Sequence, residues 1–120
     1  MAASAFFFLR INDHILYLKK IQMTLEGSGD FRGTDFHSCK PGQWVYGEGA
    51  AEADALSPEA RAIFDELIEP HRQFHDASQA ALERQQGGDV DGAQQAITEM
   101  HNLSTALVNK LVQLDRFKPA

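Results

Sequence analysis

Two histidines four residues apart, in the run His71-Arg72-Gln73-Phe74-His75, are where residue type and spacing first point to chemistry. On a helix they project from one face, one turn above the other, and can grip one metal ion through two imidazole nitrogens. A closed zinc site takes four ligands, so two must come from elsewhere. The sequence offers Cys39, its single cysteine, and His14. Three imidazoles and one thiolate fill a tetrahedral zinc site. Such a site leaves no open position for water or substrate, so the expected role is structural or sensory, not catalytic. The pair also lacks the glutamate that follows the first histidine in a zinc peptidase.

Each of these residues also has an ordinary reading. A lone buried histidine is usually hydrogen-bonded in the core, and a lone cysteine is usually a small buried hydrophobe. The metal reading rests on three separate segments carrying nitrogen and sulfur donors toward one core. His37, two residues before Cys39, could compete with His14 as a ligand. It lies in a polar connector and is read as a solvated or supporting residue. His101 is read as a surface or boundary residue, and Trp44 and Tyr46 as core packing.

These donors need a frame. Phe7, Ile11, His14, Leu18, Ile21 and Leu25 alternate spacings of four and three, which predicts a helix over about 4–26 with His14 in its seam. Phe6, Phe8, Ile15, Leu16 and Tyr17 widen its apolar surface, which calls for more than one neighbour, including a second subunit. Gly27 to Asp30 end this helix and a polar connector follows. Pro41 and Gly42 argue for only a short helix after Cys39, and residues 47–55 read as a loop. Ser57-Pro58-Glu59 is a helix start, and the pattern runs through Phe64, Leu67, His71, Phe74, His75 and Leu82 to about Gln86. Pro70 predicts a bend there. Gly87-Gly88-Asp89 is a turn. A last helix spans about 90–116, with Ala93, Ile97, Met100, Ser104, Leu107, Leu111 and Leu114 as its seam and Lys110, Arg116 and Lys118 near its negative end. Three long helices and a short one predict an all-α chain folded as a single domain over 1–120, an antiparallel four-helix bundle.

Composition narrows the function. The 120 residues carry a formal charge of −6, with 17 acidic against 11 basic residues and no basic cluster. That argues against nucleic acid and anionic membranes as partners. One cysteine excludes an internal disulfide and suits a reducing compartment. The apolar run 1–9 is too short to span a bilayer and lacks a basic region before it, so a cytoplasmic protein without membrane insertion is expected. A carboxylate-bridged iron site would need inward glutamates or aspartates, which the seams almost lack, and there is no Cys-x-x-Cys-His for haem.

The ordered set of His14, then Cys39-Lys40-Pro41-Gly42-Gln43-Trp44, then His71-Arg72-Gln73-Phe74-His75 resembles the chemoreceptor zinc-binding (CZB) domains of bacteria. In that family a first-helix histidine precedes Cys-x-x-Gly-x-Trp and His-x-x-x-His. Pro41 departs from the usual apolar residue before the glycine, and the loop between Gly47 and Ser57 is long. The resemblance implies one zinc ion on His14, Cys39, His71 and His75, and a four-helix bundle that pairs as a homodimer. It also implies regulation of a chemoreceptor or diguanylate cyclase, in response to zinc occupancy or to oxidation of the zinc-bound cysteine, including by hypochlorous acid. No stretch resembles a signalling output domain, so a free-standing member or an excised domain is expected. The competing reading is a helical dimerisation module without a functional metal site.

Overall fold

The computed structural model describes residues 2–35 and 37–117, with side chains of the first helix from residue 9 onward. Phe6, Phe7, Phe8 and Lys118, which enter the sequence reading, lie outside the described side chains. The described residues form five helices: α1 (Ala2–Leu25), α2 (Lys40–Val45), α3 (Gly49–Leu56), α4 (Pro58–Gln86) and α5 (Val90–Asp115).

Local chemistry sets the helix ends. Gly27 takes a left-handed φ of 83° after α1, and Ser28 N–H returns to the Met23 carbonyl at 2.9 Å and Gly27 N–H to that of Thr24 at 3.1 Å. These bonds form a Schellman stop that satisfies terminal carbonyls. Ser57 closes α3 and caps α4 at once. It is extended, and its hydroxyl accepts the Ala60 N–H at 3.0 Å, with Pro58 in the first turn where no donor is missed. Asp89 caps α5 through Gly92 N–H at 3.0 Å. Helix α4 continues through Pro70 as one 29-residue element.

The α4–α5 hairpin is antiparallel: Lys110 Nζ reaches Glu66 Oε1 at 2.5 Å, and Arg84 Nη1 reaches the Gly92 carbonyl at 3.1 Å. Helix α1 runs in the same direction as α4, with Tyr17 beside His75 and the Leu25 carbonyl bonded to Gln85 at 2.6 Å. Between the helices lie Ile21, Phe64, Leu67, Phe74, Leu82, Met100 and Leu114, each almost fully buried. The predicted α4 and α5 seams face this core, with Ile97 at its edge.

Residues 49–56 correct the sequence reading, because they form a helix and not a loop. Alanine is the strongest helix former, and the flanking glycines do not enter the helix interior. Gly49 lies at the first position, where an added Cβ would sit 2.6 Å from the Phe64 ring and 2.8 Å from the Trp44 carbonyl. The glycine is there for close packing of α3 on α2 and α4, and Ala53 fills the next turn with no exposure.

Candidate metal centre

Cys39 ends the connector and caps α2. Its Sγ accepts the Gly42 N–H at 3.2 Å, as an oxygen-bearing cap residue would. Pro41, at the second helical position, has no N–H to lose there and is buried. The departure at Pro41 therefore fits this turn. The same sulfur lies 3.3 Å from His71 Nε2 and 3.3 Å from His75 Nε2. One donor atom from each of Cys39, His71 and His75 lies within 4.8 Å of the other two, and all three residues are buried.

The imidazoles differ in how their far nitrogens are held. His75 Nδ1 meets the Thr34 carbonyl at 3.0 Å. A carbonyl only accepts, so that nitrogen carries the proton and Nε2 presents a lone pair toward the sulfur. His71 Nδ1 is buried without a hydrogen-bond partner among the described residues. His14 is buried in the α1 seam as expected, with its ring edge-on to Phe74 at 4.6 Å. Its Nε2 bonds the Ser104 hydroxyl of α5 at 2.8 Å, and the close group of three donors does not include it.

Burial sets the protonation states. It pushes His14 down to about 4, helped by the nearby His75, and pushes His71 down to about 3, helped by His75 and His14. His75 is lowered for the same reason, against the Thr34 carbonyl, which favours its charged form. Burial raises the Cys39 thiol, against the Gly42 N–H, which stabilises the thiolate. The metal-free pocket at neutral pH therefore holds neutral imidazoles beside a protonated thiol, and metal ligation at sulfur releases a proton.

This donor set fits zinc. Zn–S of ~2.3 Å and Zn–N of ~2.0–2.1 Å at tetrahedral angles require S···N edges of about 3.6 Å, close to the two 3.3 Å separations. A histidine whose second nitrogen is fixed on a carbonyl is the usual form of a zinc-binding imidazole.

The other singled-out residues sort plainly. Trp44 is core packing at 4 % exposure, edge-on to Phe64 at 5.4 Å. Tyr46 is not, being 42 % exposed with its ring against His37 at 4.3 Å. It follows the last residue of a six-residue helix, beyond the turn that packs inward. His37 is solvated beside Asp35, and His101 sits at the boundary, bonded to Gln22 at 3.1 Å. Sequence reasoning placed Tyr17 with the apolar flank of α1 and gave Thr34 no role, yet both contact His75. The available signal was a tyrosine three residues after His14, which puts its hydroxyl on the same inner face.

No described helix is long and apolar enough to cross a membrane. No match was found among curated proteins or among solved structures. Residues 14–82 match the family model described as "Chemoreceptor zinc-binding domain", a span that starts at His14 and includes Cys39, His71 and His75. That family is regulatory and sensory and occurs in signalling proteins. By this match over more than half its length, the chain belongs to the chemoreceptor zinc-binding domain family.

Proposed function

We propose that this chain is a zinc-binding regulatory domain of bacterial signalling, of the chemotaxis or cyclic-di-GMP type, and not an enzyme. The observation that carries the proposal is the meeting of Cys39 Sγ with His71 Nε2 and His75 Nε2 in a buried pocket. The proposed ligands are His14, Cys39, His71 and His75. For His14 to ligate through Nε2, its bond to Ser104 must break, and the metal replaces that partner. Bound zinc would hold Cys39 as a thiolate and join the connector to α1 and α4.

Two inputs can act on this arrangement. In the first, occupancy itself biases the packing of α1, α4 and the connector. In the second, the Cys39 thiolate reacts with a two-electron oxidant such as hypochlorous acid. Sulfur gains the oxygen as a sulfenic acid, and chloride leaves with the electron pair. A sulfenic acid is a poorer ligand and a changed cap for α2, so both attachments of Cys39 weaken together. The partner would be a chemoreceptor or diguanylate cyclase, in cis or in trans, in the bacterial cytoplasm.

The antiparallel four-helix bundle belongs to the same proposal, with α1, α4 and α5 as three walls and the α2–α3 pair as the fourth. So does a homodimer. Leu9, Leu16 and Met23 recur every seven residues on α1 and are 52 %, 49 % and 45 % exposed. This stripe also suits the competing reading, a dimerisation module without a working metal site.

Elemental analysis of untagged protein, purified without added metal, separates the two readings. About one zinc per chain, greatly reduced in His14→Ala and in His71→Ala, supports the metal reading. No metal, and no uptake by the reduced protein, leaves the dimerisation module.

A further inference from the structure

The stretch from Thr34 to Cys39 meets both nitrogens of one histidine. Thr34 O lies 3.0 Å from His75 Nδ1, and Cys39 Sγ lies 3.3 Å from His75 Nε2. The Thr34 peptide is itself clamped by a side chain of α1. Its N–H donates to Tyr17 Oη at 2.9 Å, and the tyrosine hydroxyl donates to its carbonyl at 3.1 Å. Tyr17 Oη is also 3.3 Å from His75 Nδ1. The tyrosine is buried, with its ring edge-on to Phe31 at 5.2 Å and to Phe74 at 6.0 Å.

The connector backbone is shaped for this approach. Gly33 has a φ of +86°, and a Cβ there would lie 2.5 Å from Gln79 Nε2 and 2.9 Å from Tyr17 Oη. Only glycine passes between those groups without displacing them. Just before it, Gln79 Nε2 donates to the Arg32 carbonyl at 2.8 Å and Thr24 Oγ1 to the Phe31 carbonyl at 2.7 Å. The connector is thus bound to α1 and α4 just before it reaches the metal-donor sulfur.

We propose that Tyr17, acting through the Thr34 peptide, is a positioning residue for zinc, and that this peptide reports the state of the site to α1. The inference rests on the zinc-binding reading above. The clamp holds the Thr34 carbonyl on His75 Nδ1, which fixes the proton on that nitrogen and leaves the Nε2 lone pair facing Cys39. Metal at Nε2 makes the Nδ1 proton a stronger donor, so the Thr34 bond shortens and the Thr34 N–H stays closed on Tyr17. Loss of the metal relaxes the same chain of bonds, which leads from His75 on α4 through Thr34 to Tyr17 on α1.

The test is Tyr17→Phe in the full chain. This variant keeps the ring and its packing and removes only the hydroxyl. Zinc affinity is measured by competition with a chelating dye, and the His75 tautomer of the metal-free protein by nitrogen-15 NMR. Removing a supporting partner of a metal-bound histidine typically lowers affinity by about 10–100-fold. That loss is expected here, together with mixed tautomers of His75 in the variant and the Nδ1–H tautomer in the wild type. The wild-type Thr34 amide should exchange more slowly with zinc than without it. An affinity within about twofold of wild type, with an unchanged tautomer, overturns the proposal. If Tyr17→Phe fails to fold, the wild-type spectrum decides: Nδ1–H supports the proposal and Nε2–H overturns it. A wild type that binds no zinc overturns the metal reading itself, an outcome distinct from equal binding by wild type and variant.

Discussion

Cys39 and Gly42 are joined by a hydrogen bond in which the Gly42 N–H donates to Sγ at 3.2 Å, so the candidate metal donor is also the N-cap of α2. The two roles separate by substitution. Cys39→Ser keeps a capping atom, and Cys39→Ala removes it at a cost of about 1 kcal/mol. Both lose the thiolate and are expected to bind zinc much more weakly, with three imidazoles left. Both should keep a helical far-ultraviolet spectrum, and metal-free Cys39→Ser should be the more stable of the two. Wild-type zinc affinity in Cys39→Ser, or an unfolded Cys39→Ala, would count against these assignments.

His14 and Ser104 give a sharper probe of the fourth ligand. Their 2.8 Å bond satisfies a buried imidazole nitrogen when no metal is present. Ser104→Ala strands that nitrogen, and an unpaired buried polar group costs about 1–3 kcal/mol. If the same nitrogen turns to the metal, zinc removes the penalty. The metal-free variant is then expected to melt below wild type, and zinc should raise its midpoint by more than it raises the wild type's. Equal zinc-induced shifts in thermal melts of the two proteins would argue that His14 Nε2 is not a ligand.

Acid should destabilise the metal-free fold in a defined window. His14 at about 4 and His71 at about 3 lie below the ordinary histidine value of 6.5 because their charged forms are buried. As pH falls below about 6.5, the unfolded chain takes up protons that the folded chain refuses, so stability drops. The loss levels off once pH passes the folded values. For His14 alone, a displacement from 6.5 to about 4 is on the order of 3 kcal/mol. The buried Cys39 thiol acts oppositely: its raised value withdraws stability as pH climbs through the thiol range. Urea midpoints of the metal-free protein should therefore peak between the histidine and cysteine ranges. A flat profile from pH 7 to 4 would refute the buried, neutral histidines. Zinc loss should accompany this acid unfolding, because the folded His14 and His71 imidazoles themselves take up protons only at about 4 and about 3.

Helical periodicity made the long elements legible, because α4 and α5 each bury one stripe and solvate the other. His14, His71 and His75 stood out as polar residues at seam positions, and all three are buried. Cys39 was legible as the single cysteine, on a segment separate from the histidines, but its role as the cap of α2 was not. Helix α3 was not legible, because its glycines look like breakers until Gly49 is seen against Phe64 and Trp44. Tyr17 was read as part of the apolar face of α1, and its ring is buried there, but the role of its hydroxyl was missed for a related reason. Its hydroxyl meets a backbone peptide 17 residues away, and no periodicity encodes where a connector will pass.

The far face of α1 yields the last prediction. At 100° per residue, Leu9, Leu16 and Met23 lie roughly 160–200° from the His14 and Leu18 seam. They therefore point away from the core that His14 helps to fill, and they are half exposed. A seven-residue apolar repeat is the pattern of a helix–helix seam, and the identical stripe on a second copy matches it by symmetry. A double variant, Leu16→Glu with Met23→Glu, places charges on this stripe without touching the zinc ligands. Analytical ultracentrifugation is expected to show a dimer for the wild type and a monomer for the variant, with about one zinc per chain in both. A monomeric wild type would remove the dimer from the proposal. A variant that stays dimeric would move the interface elsewhere on the bundle, and one that loses zinc on dissociation would mean that the far face of α1 supports the site across the helix.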